Sequence, residues 1–64
     1  LADERLTIAA ACRRLPTIER QVLYLRFAED MSQSAVAARI GVSQMQVSRL
    51  ERTALGALRE LAAD

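Results

Sequence analysis

Residues 32–50 read SQSAVAARIGVSQMQVSRL, and this stretch decides the fold. Ser32 is a good N-cap, so a short helix is expected over 33–40, with Val36, Ala37 and Ile40 on its inner face. Gly41 supplies the left-handed residue that ends a helix, and Val42 follows as an apolar plug. Ser43 caps a second, longer helix, with Gln46 three residues on. Ser-x-x-Gln is a capping box, in which the cap and third-residue side chains satisfy each other's backbone donors. A small residue, Ala37, stands four positions before Gly41, where two helices must approach closely. Short helix, glycine turn and capped helix together form the helix-turn-helix pattern.

In that pattern the second helix enters the DNA major groove by its N-terminal end. Val47, Leu50 and Ala54 fall on its core side, continued by Leu58 and Leu61. The opposite face carries Gln44, Met45, Ser48, Arg49 and Arg52. Gln pairs with adenine N6 and N7, Arg with guanine O6 and N7, and a Met side chain packs on a thymine methyl. The same face is also what an ordinary solvated helix displays. Ser32, Gln33 and Ser34 open the preceding helix, where backbone donors and hydroxyls suit phosphate oxygens or simply cap the helix. Arg39, late in that helix, faces phosphate or solvent.

Outward from this core, the N-terminal half adds two more helices. The first is expected over about 3–14, with acidic residues at its start and Arg13 and Arg14 at its end. Ile8, Cys12 and Leu15 share one face, so Cys12 reads as a small core hydrophobe. Pro16 punctuates, and the second helix covers about 17–28, with Glu19 in its first turn. Val22, Leu23, Arg26 and Phe27 trace a single face of it. Arg26 is expected to lay its stem on the core and send its guanidinium to an acidic partner. The reading is one all-α domain over 1–64, with helices at about 3–14, 17–28, 33–40 and 44–61. The helix-turn-helix spans 32–61 and has no wing.

The 64 residues are too few for two domains, and a chain of this length buries only about 60% of its unfolded surface. Hydrophobic residues make up 52% but aromatics only 3%, so the core must be built from Leu, Val, Ile and Ala. No apolar run is long enough to span a membrane, and the opening LADERL lacks the apolar region of a signal peptide. The absence of an initial Met suggests a fragment of something longer. The single cysteine, Cys12, has no internal disulfide partner, which fits a reducing, cytoplasmic setting. With no His and no second Cys, no metal or other cofactor is expected. An enzyme is the least supported class, because there is no Gly-rich phosphate loop, catalytic carboxylate pair or Cys/His pair.

Nine Arg, no Lys and eight acidic residues give a net charge of +1. Arg is the side chain best suited to bidentate phosphate or guanine contacts, although an Arg-only composition equally reflects GC-rich coding. So small a charge implies few phosphate neutralisations and weak binding at physiological salt for a domain acting alone. A tethered module gains instead from effective concentration.

The segment LPTIERQVLYLRF, 15–27, resembles a signature of region 4 of bacterial RNA polymerase sigma factors, in the sigma-70 superfamily. MSQSAVAARIGVSQMQVSRL, 31–50, resembles that region's helix-turn-helix, and VSQMQVSRL is particularly similar to the sigma-B/sigma-F type. The tail TALGALREL matches the family's Ala-Leu-x-x-Leu-Arg ending. The resemblance implies binding to the double-stranded minus-35 promoter element while docked on the beta flap of the RNA polymerase core, near the bacterial nucleoid. It places base contacts on Gln44, Met45, Ser48 and Arg49, with Arg52 as a backbone or edge contact. Phosphate contacts fall on Ser32, Gln33, Ser43 and Gln46. The flap cleft falls near Ile8, Leu23 and Phe27, and anti-sigma factors commonly occlude the same surfaces. Three positions depart from the family: Ala35 where Glu or Gln is frequent, Gln46 where sigma-B types often carry His, and Cys12 where Leu is usual.

Two other classes share parts of this pattern. Response-regulator effector domains have the four-helix plan but usually begin at the second helix, without the helix over 3–14. A region 4 module acting mainly as a protein-binding surface has the same core.

Overall fold

A computed structural model describes the backbone of residues 8–63 and the side chains of 10–61. Among these residues the chain is four helices: α1 (Ile8–Cys12), α2 (Thr17–Leu23, continued by a π-helical turn over Tyr24–Ala28), α3 (Gln33–Ile40) and α4 (Gln44–Ala63). Among the described residues no helix is long and apolar enough to cross a membrane.

α1 stops at Cys12 rather than at 14, the expected end; the expected start at 3 lies outside the described residues. The amides of Arg14 and Leu15 bond back to the carbonyls of Ala11 and Cys12 at 3.0 Å, closing tight three-residue turns that end the helix. Pro16 stands just outside α2 as its N-cap (φ −56°, ψ 150°), and its carbonyl accepts from Arg20 N.

α2 packs on two sides at once. Val22 and Leu25 face Val36, Ala37 and Val47, while Leu23 faces Leu15 and Ala54. The single face expected through Val22, Leu23, Arg26 and Phe27 is therefore corrected at two places. Leu25 is buried, and Phe27 is 58% exposed. Phe27 lies one turn beyond Leu23, where the groove between α2 and α4 is open.

The π-helical turn ends with Asp30 in the left-handed region (φ 57°), a conformation Asp tolerates better than most side chains. Met31 N bonds to Leu25 O at 3.0 Å, and Arg26 Nη1 donates to Met31 O at 2.8 Å. This pairing turns the chain into α3. Arg26 has the acidic partner expected of it: its Nε donates to Glu51 Oε1 of α4 at 2.8 Å.

Ala37 is buried where α3 meets α4, and its carbonyl accepts from both Gly41 N and Val42 N, at 2.9 and 3.0 Å. Gly41 adopts φ 80°, ψ 35°. A Cβ at Gly41 would meet nothing within 4 Å, so any cost of a side chain there is backbone strain alone. Gly41→Val is expected to cost about 1–2 kcal/mol, because a branched Cβ opposes the left-handed backbone. For a domain this small that is a fall in melting temperature of roughly 5–15 °C. An unchanged melting temperature would refute the turn geometry.

The core centre is three valines without solvent exposure, Val22, Val36 and Val47. α4 outruns α3, and its later half packs on α1 and α2 through Ala54, Leu55, Ala57 and Leu58. The molecule is accordingly elongated, 39 × 19 × 16 Å.

Candidate nucleic-acid interface

The N-terminus of α4 is built by the capping box. Gln46 N donates to Ser43 Oγ at 3.1 Å, and Ser43 N donates to Gln46 Oε1 at 3.2 Å. At α3 the box is one-sided: Ala35 N donates to Ser32 Oγ at 3.1 Å, and Ala35 has no side chain to return the bond. In each case capping uses acceptor lone pairs. The hydroxyl hydrogens of Ser32 and Ser43 and the Nε2 amide of Gln46 keep their capacity to donate. These three residues are exposed, and their remaining donors are of the kind a phosphate oxygen accepts.

Gln33 is more committed. Its Nε2 donates to Glu51 Oε1 at 3.1 Å, leaving one amide hydrogen and its backbone N–H. Glu51 thus receives Arg26 and Gln33 on one oxygen. The Arg26 bond holds its carboxyl below the ordinary value of 4.5, with Gln33 adding to the effect and partial burial opposing it.

Gln44, Met45, Arg49 and Arg52 are exposed along one side of α4, and Ser48 is half-buried among them. Arg49 Nη2 rests on Met45 Sδ at 3.9 Å, a weak contact between successive turns. Ser48 and Arg52 share a polar hollow with Gln33, Glu51 and Arg59. Of the five residues on this side of α4, Ser48 and Arg52 thus share a surface with Gln33. Arg59, which sequence reasoning passed over, extends that surface seven residues beyond Arg52. The Ser34 hydroxyl donates across the turn to Gln44 Oε1 at 3.2 Å.

A second surface lies between α2 and α4. Cys12, Leu23, Tyr24, Phe27, Leu55 and Leu58 line an open apolar groove of about 650 Å³. Leu23 and Phe27 meet there; the side chain of Ile8 lies outside the described residues. Tyr24 Oη donates to Glu29 Oε2 at 2.9 Å, and that bond and the carboxylate charge raise the phenol above its ordinary 10.0. The Arg26 guanidinium sits 5.3 Å from the Phe27 ring centroid. Cys12 is a free, half-buried thiol packed against the Leu15–Leu23–Ala54 cluster.

Comparison with known proteins bears on these surfaces. The sequence profile of the family described as "Sigma-70, region 4" matches residues 11–60. The chain is 44% identical over 52 residues to the RNA polymerase sigma-F factor of Priestia megaterium, covering 81% of this chain and 21% of that protein. It is 43% identical over 58 residues to the RNA polymerase sigma factor SigF of Mycobacterium tuberculosis, covering 91% of this chain and 22% of that protein. It is also 44% identical over 52 residues to the RNA polymerase sigma-G factor of Bacillus subtilis, covering 81% and 20%. The chain thus spans about a fifth of the length of the curated relatives it matches. No solved structure matches it.

Proposed function

Because the chain belongs to the sigma-70 region 4 family, we propose that it reads the minus-35 element of promoter DNA as part of an RNA polymerase sigma factor and so directs transcription initiation. The observation that carries this reading is the capped start of α4. It exposes Gln44, Met45, Arg49 and Arg52 on one side, next to cap residues that have used their acceptors and kept their donors. Base edges in the major groove take the first set, Ser48 included, and phosphates take Ser32, Gln33, Ser43 and Gln46. Its role is binding and positioning, not catalysis, and it works in the cytoplasm, at the nucleoid.

The open groove gives the same chain a protein-facing side. Its apolar lining of Leu23, Phe27, Leu55 and Leu58 suits an apolar segment of the polymerase flap, and an anti-sigma factor competing for the chain would use the same surface. Ile8 belongs to this docking side in the same proposal.

The net charge of +1 sets how the domain works. Few released counterions mean that polymerase tethering, not intrinsic affinity, supplies occupancy. The isolated 64-residue chain is expected to bind minus-35 duplexes only weakly, with Kd on the order of micromolar or above at physiological salt. Fluorescence anisotropy against a specific and a scrambled duplex measures this. Nanomolar, sequence-specific binding by the isolated chain would contradict the tethered mode.

A further inference from the structure

Gln44 is the first residue of α4 and Ser34 the second of α3. They are ten positions apart, both are exposed, and the Ser34 hydroxyl donates to Gln44 Oε1 at 3.2 Å. Neither side chain contributes to either buried cluster. Unlike Ser32 and Ser43, Ser34 makes no cap bond; its described hydrogen bond goes to a residue of the reading face.

A free glutamine amide is ambivalent toward DNA. It pairs with adenine by accepting from N6 while donating to N7, or it donates to the acceptor edge of another base. The Ser34 bond occupies one of the two lone pairs of Gln44 Oε1 and orients the amide plane, while both Nε2 hydrogens stay open for a base. Guanine presents two adjacent major-groove acceptors, O6 and N7. We propose that Ser34 is a positioning residue that biases Gln44 toward donating, favouring guanine over adenine at one base pair. This rests on the DNA-reading role proposed above.

The test uses polymerase holoenzyme carrying this chain. Competition binding is measured on duplexes that differ only by guanine or adenine at the base pair whose preference disappears in Gln44→Ala. Wild-type protein is expected to favour guanine. Ser34→Ala should narrow the guanine-to-adenine ratio about three- to tenfold, the worth of one neutral hydrogen bond. Ser34→Thr, which keeps a hydroxyl, should preserve the ratio. In a Gln44→Ala background, Ser34→Ala should change nothing, since coupled residues are non-additive. Equal weakening on both duplexes, or an undiminished effect in the Gln44→Ala background, would make Ser34 a phosphate contact and overturn the proposal. A wild-type preference for adenine would overturn it too. Absence of any base preference in the wild type would remove the DNA-reading role itself, an outcome separable from the others because they leave a wild-type preference intact.

Discussion

Glu51→Ala is expected to lower the stability of the domain by about 2–3 kcal/mol, the scale of charged hydrogen bonds lost from a partly buried site. For a domain of this size the melting temperature should fall by roughly 10–20 °C. The carboxylate ties α2, α3 and α4 together by accepting from Arg26 and Gln33. Its side chain is 13% exposed and that of Arg26 is 25%, so removing it leaves a partly buried guanidinium without its counter-charge, still bonded to Met31 O. That partial exposure keeps the expected loss below the range for a fully buried pair. The pH dependence follows from the lowered Glu51 pKa. A carboxyl depressed in the folded state stabilises fully above its unfolded value, and that stability is lost as pH falls through the folded value. Wild type should therefore lose stability on acidification below the ordinary 4.5, and Glu51→Gln should lose less over that interval. Thermal melts of both proteins between neutral pH and pH 3 measure it. Superimposable curves would refute the ionic tie.

Arg49→Ala, in holoenzyme, is expected to cost about 1–3 kcal/mol on the preferred promoter, a factor of roughly 5 to 150, with the loss confined to one base pair. Arg49 is exposed on the side of α4 that carries Gln44, Met45 and Arg52, and its one described side-chain contact is the weak one with Met45 Sδ. Nothing in the fold depends on its guanidinium, so stability should be unchanged. Arg49→Lys should not restore the preference, because an ammonium lacks the planar fork that matches guanine O6 and N7. Affinities on a promoter series with each base changed in turn decide the matter. A loss equal on every sequence would make Arg49 a phosphate contact.

The local devices were legible in the sequence because their signals are short-range. Ser43 and Gln46 are three residues apart and cap each other. Gly41 follows α3 directly and takes the left-handed backbone that its position demands. Val47 and Ala54 lie at helical spacing and are both fully buried. Arg26 on an apolar face called for an acidic partner, but nothing in periodicity singles out Glu51, 25 residues away. The face traced through Val22, Leu23, Arg26 and Phe27 omits the buried Leu25 and includes the exposed Phe27 for a different reason. A one-face pattern assumes one partner surface, whereas α2 packs between two clusters and leaves Phe27 over an open groove. The Ser34–Gln44 bond crosses the turn between two exposed side chains, where hydrophobic patterning carries no signal.

If the start of α4 reads promoter bases from within polymerase, selection from a DNA library randomised across the minus-35 region, captured by holoenzyme carrying this chain, should enrich one short motif. Gln44→Ala and Arg49→Ala should each flatten the preference at a different base pair. A library that stays random across that region, or a motif that both substitutions leave unaltered, would contradict that role of α4.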